Sequence, residues 1–113
     1  MIIQEFDINM IPGGDLIEID ISQDDTGEER LAAKLFAGDE EYVPSGTAVV
    51  QGTRADGETF RHLAEIDGST VTFSVWEDMT AAPGRARAQI VLTEGGNRTG
   101  SGVFFLNIQR GTT

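Results

Sequence analysis

Apolar and polar residues alternate in short runs along almost the whole chain. In the second half these runs are Gly46 to Phe60, Gly68 to Val75, Arg85 to Thr93 and Gly102 to Arg110, each fenced by glycine. Side chains on a strand point to opposite faces in turn, so such a run buries one face and wets the other. In the first half, Ile2 to Ile8 can open a sheet. Leu16 to Ser22 sets Ile17, Ile19 and Ile21 against Glu18 and Asp20, and Arg30 to Phe36 sets Leu31, Ala33 and Leu35 on one side. The last run could be read as a helix. At about seven residues between turn signals it is shorter than most helices, and a strand is expected. The pattern as a whole predicts an all-β, immunoglobulin-like antiparallel β-sandwich of about seven or eight strands, with Ile19, Leu35, Val50, Phe73, Ile90 and Leu106 in its core.

The punctuation between runs agrees with that reading. Asp56-Gly57, between Thr47–Arg54 and Glu58–His62, predicts a tight hairpin, because glycine reaches positive φ without steric cost, and Asp67-Gly68 repeats the signal. Within Trp76 to Gly84, Asp78 or Thr80 can open one short helical turn that Pro83-Gly84 ends. Glu94 to Gly102 is expected to be a flexible hairpin loop. Gln23 to Glu29 and Ala37 to Ser45 are polar, acidic connections.

The chain has 113 residues, which suits one domain over 1–113 with a single core. It has no cysteine, which rules out disulfides, thiolate metal sites and cysteine nucleophiles. No apolar run nears the roughly 20 residues that span a bilayer, and the first residues carry no secretory signal pattern. The net charge of −11 is uneven: residues 1–50 hold 12 acids against Arg30 and Lys34, while residues 51–113 hold 7 acids against 6 arginines. Such a field repels phosphate backbones and anionic lipids, so nucleic acid and membrane insertion are not expected. A basic patch on a partner protein is the complementary surface. Asp24, Asp25, Glu28 and Glu29 are the candidate partner-binding acids.

The order of these segments resembles the N-terminal domain of the upper baseplate proteins of phages that infect Gram-positive bacteria. An acidic turn followed by a charged and then apolar strand lies at Ile19 to Phe36, a Gly-led strand reaching a DG hairpin at Gly46 to Thr59, and a Gly-bounded strand at Gly68 to Val75. Pro83 to Leu92 and Gly102 to Ile108 match the two closing strands, so the likeness covers about residues 15–110. The resemblance implies a non-enzymatic structural module that docks to other baseplate or tail proteins, with homo-oligomers among its assemblies. It places the module in the virion, and in the bacterial cytoplasm during assembly or from a prophage. The family's helical extension and its attachment segment for a receptor-binding protein have no counterpart before Thr113.

No residue set competes as a catalytic centre. His62, the single histidine, has no Ser or Cys nucleophile motif beside it and reads as a surface or hairpin side chain. The acid pairs Asp24/Asp25 and Glu28/Glu29 are better read as a solvated loop than as acid–base or Ca²⁺ machinery, since their spacing does not match an EF-hand. Gly95, Gly96, Gly100 and Gly102 precede a strand and have no nearby lysine, which makes them turn glycines and not a phosphate loop. No cofactor or metal is expected. The alternative function is a β-sandwich that binds carbohydrate or a cell surface through exposed aromatic residues near Trp76.

Overall fold

A computed structural model of the chain describes residues 2–11, 17–22 and 30–110, and the side chains of all these except Ile2 and Ile3. The described strands are β1 (Ile2–Asn9), β2 (Glu18–Ser22), β3 (Arg30–Ala37), β4 (Glu40–Glu41), β5 (Thr47–Thr53), β6 (Thr59–Asp67), β7 (Thr70–Ser74), β8 (Gly84–Glu94), β9 (Asn97–Gly100) and β10 (Phe104–Gln109). Hydrogen bonding orders eight of them as β1-β3-β7-β6-β5-β8-β10-β2, with β4 added to β3 and β9 to β8. The sheet curls on itself, so its two halves face each other across one core. β6 makes the corner: residues up to Ala64 pair with β5, and Glu65 to Asp67 pair with β7.

The alternation decides which face goes in. Ile19, Leu35, Val50, Phe73, Ile90 and Leu106 are all buried, joined by Leu31, Val71, Leu92 and Phe104 from neighbouring strands. Phe104 sits at the centre of an aromatic chain, 5.1 Å from Phe6 and 6.1 Å from Phe73 between ring centroids. Contacts of this tilted kind add to the stabilisation from burial itself.

Several sequence expectations change in detail. Two pairings, β1 with β3 and β10 with β2, are parallel, so the sandwich is mixed at its two ends. Alternation sets a strand's face but not the direction of its neighbour. β6 runs on to Asp67, past the expected end at His62, because Ala64 and Ile66 keep the apolar alternation and pack on the core. The segment expected as a flexible loop holds a two-residue hairpin: Gly95 and Gly96 have φ of 55° and 86°, Glu94 pairs with Asn97, and β9 follows. Ser101 then bridges the change of partner along β8, its amide bonding the Ile90 carbonyl and its hydroxyl accepting the Ile90 amide. The short helical turn is a 3₁₀ turn, Glu77–Met79, preceded by Trp76.

The DG turn forms as expected. Arg54 and Glu58 close the loop, Gly57 has φ of 91°, and the Asp56 carboxylate accepts from the Glu58 amide and from Nε and Nη2 of Arg54. Gly46 is needed for a different reason. Its φ is 83° and an added Cβ would lie 2.0 Å from the Thr93 carbonyl, so only glycine lets this loop approach the end of β8.

Candidate docking surfaces

The pairing registers lay out the outer face of each layer. On β5, β6 and β8 the residues opposite the core are Val49, Gln51 and Thr53, then Thr59, Arg61 and Leu63, then Arg85, Arg87, Gln89 and Val91. Directly opposed residues share a face. One row therefore runs Arg61, Gln51, Gln89, and the next runs Thr59, Thr53, Arg87, Phe105. Arg98 on β9 opposes Thr93 and joins the same side. Four of the chain's eight basic residues thus stand on one sheet face of an acidic protein.

Their surroundings differ. Arg85 pairs with Glu18 and lies over the Phe105 ring, 3.9 Å from its centroid. Asp20, also on this face, accepts from Asn107. Arg61, Arg87 and Arg98 are exposed and enter no ion pair among the described residues. Arg61 and Arg87 flank an open groove floored by Gln51, Gly52, Thr53 and Gln89. The groove offers guanidinium and amide donors together, a lining suited to carboxylates.

The outer face of the other layer is acidic. Glu5 and Asp7 on β1, Glu65 and Asp67 on β6 and Glu41 on β4 share it with Arg30 and Lys34. Arg30 binds Glu65 at 2.9 Å and Lys34 binds Glu41 at 2.8 Å. The hydrogen bond and charge of Glu41 raise the Lys34 pKa, and Lys34 in turn holds the Glu41 carboxyl below its ordinary range.

A solved structure, the N-terminal domain of phage TP901-1 ORF48, matches this architecture with a TM-score of 0.71 over 96% of this chain and 99% of that one. This chain has the fold of that phage domain. The two sequences are 13% identical, so what they share is the path of the backbone, in keeping with the resemblance read from segment order. No protein-family model and no curated protein sequence matches the chain.

Asp24, Asp25, Glu28 and Glu29 lie outside the described residues. His62 is not at a strand end but within β6, where it stacks on Trp76 at 5.0 Å and its Nε2 lies 2.7 Å from an Asp78 carboxylate oxygen. Asp78 also binds Arg54 through its backbone carbonyl, which ties the 3₁₀ turn to the DG hairpin. Trp76 keeps 49% of its surface exposed, with His62 stacked against its ring. The clustering of arginines was missed by sequence reasoning. Its signal, Arg85 and Arg87 at alternate positions of one run, was present, but joining them to Arg61 and Arg98 needs the strand order.

Among the described residues no helix is long and apolar enough to cross a membrane.

Proposed function

We propose that this chain is a non-enzymatic structural module of a phage or prophage tail, a baseplate domain that docks to other baseplate proteins. One observation carries the reading: the fold shared over 96% of the chain with the N-terminal domain of a phage protein, which agrees with the resemblance of the segments to upper baseplate proteins. The order of segments along the chain supports it independently, because it is a property of the sequence and not of the fold. In this reading residues 1–113 form one docking domain, assembled in the bacterial cytoplasm and carried in the virion. The acidic residues Asp24, Asp25, Glu28 and Glu29 steer encounter with a basic surface of the partner, while apolar or β-edge contacts supply most of the affinity, since exposed ion pairs contribute only about 0–1 kcal/mol each.

Mass spectrometry of purified virions and immunogold labelling test the assignment, with the protein expected at the tail tip. Consistent absence from particles rejects it, as does a turnover by the pure protein that one side-chain substitution abolishes. For the loop, the association rate with the isolated partner should fall with rising salt, and neutralising the four acids should flatten that slope. Equal slopes would assign the loop to solubility. A glycan-binding reading draws on Trp76, but His62 already stacks on that ring. Glycan-array binding lost on Trp76→Ala would favour it over the baseplate assignment.

A further inference from the structure

The two outer faces of the sandwich carry opposite free charge. On one, Arg61, Arg87 and Arg98 enter no ion pair among the described residues and outnumber the single unpaired acid there, Asp20; on the other, Glu5, Asp7 and Asp67 enter none, though the charges of Glu5 and Asp7 also act on Lys34. Asp7 and Asp67 end a single cross-strand row, Asp7, Lys34, Thr70, Asp67, whose inner cation is already held by Glu41. That row spans three strand spacings, about 14 Å, with its acids at the two ends. Arg61 and Arg87 stand two strands apart and one row offset, about 12 Å between their Cα positions, and each side chain can swing over several ångströms. Spacing and sign therefore match between surfaces that point away from each other on the same molecule.

We propose that copies of this chain stack head to tail, with the groove between Arg61 and Arg87 of one copy receiving Asp7 and Asp67 of the next. The occupant is a second copy because both halves of the contact are present on this one molecule, on opposite faces. A two-fold dimer would set like charge on like, whereas a head-to-tail contact leaves one free face of each sign and continues into a ring or a filament. The net charge of −11 opposes long-range approach. At about 0.15 M salt that repulsion is screened beyond about 8 Å, while ion pairs in contact are screened far less. The stack is consequently weak and needs high local concentration. The inference does not rest on the baseplate reading, since it concerns the pure chain whether or not virions contain it.

Sedimentation velocity of the full chain at rising concentration in about 0.15 M NaCl tests it. The weight-average mass should grow past that of a dimer and return to the monomer as salt rises toward about 0.5 M, where the Debye length falls to roughly half. Arg61→Gln with Arg87→Gln, and separately Asp7→Asn with Asp67→Asn, should each lower the association constant about tenfold or more. An equimolar mixture of the two double variants should form a dimer and stop there, because only one matching pair of faces remains. A wild type that stays monomeric throughout, or stops at a dimer, would overturn the proposal. So would association that strengthens with salt or is indifferent to both double substitutions. The salt series on the wild type decides the matter even if a variant fails to fold.

Discussion

Phe73 shows what a single side chain does in this fold. It is 1% exposed and packs near Phe104 on the facing layer, so truncation removes transfer energy and leaves a cavity that rigid strands fill poorly. Phe73→Ala should cost on the order of 3–5 kcal/mol in urea unfolding, and a change below about 1 kcal/mol would show that the site collapses freely. Polar residues act locally and with a pH signature. The Tyr42 hydroxyl donates to Glu94 at 2.5 Å and the Ser45 amide donates to the same carboxylate at 3.0 Å. These bonds hold the Glu94 carboxyl below its ordinary range, while bonding to Glu94 and partial burial raise the Tyr42 phenol above its own. A depressed acid stabilises the fold above its unfolded pKa near 4.5, and that contribution is lost as pH falls through the lower folded value. A raised phenol stabilises below its unfolded pKa near 10, and its contribution is lost as pH rises through the higher folded value. Tyr42→Phe should therefore lower stability by about 1 kcal/mol near neutrality, with the gap to wild type narrowing in thermal melts below about pH 4.

At the scale of elements, the connections carry conditions that the strands do not. Gly46 sits where the loop after β4 meets β8, and two penalties coincide there: a positive φ and a Cβ driven into the Thr93 carbonyl. Gly57, in the DG turn, has positive φ but nothing within 4 Å of an added Cβ. Gly57→Ala should thus cost about 1–2 kcal/mol from backbone conformation alone, and Gly46→Ala clearly more. Chemical denaturation of the two variants side by side measures the difference, and equal losses would mean that the loop simply lifts away from β8. The β8–β9 hairpin makes a related point. Gly95 and Gly96 both take positive φ, the pair of conformations that a type I′ turn requires, so a segment rich in glycine is here a sharp register-setting device.

For the whole molecule, curling the sheet places β1 and β2, the two ends of the strand order, near each other. Gln4 on β1 reaches the Asp20 carbonyl on β2, and the Gly102 amide bonds the Asn9 carbonyl. These contacts partly occupy edges that would otherwise be free to pair with other chains. Docking through the outer faces is consistent with that closure, since the faces, unlike the edges, keep free side chains of both signs. The same closure explains why charge separates at this scale. The bend at Ala64 to Glu65 divides β6 between the layers, its first part beside β5 and β8 and its last residues beside β7, β3 and β1, so strands far apart in sequence share an outer face.

The alternation of Ile17 to Ser22, Arg30 to Phe36 and Arg85 to Thr93 was sufficient to assign strands and inward faces, because burial of one face is a local, period-two property of the chain. The six core residues were legible for the same reason, and the DG turns because glycine reaches positive φ without steric cost. The parallel pairing of β1 with β3 and of β10 with β2 was not, since a strand's own sequence does not record the direction of the neighbour it meets. Nor was the arginine face, which gathers Arg61, Arg87 and Arg98 from three strands; their joint field exists only once hydrogen bonds have set order and register, and it is the tertiary structure that brings cations distant in sequence onto one surface.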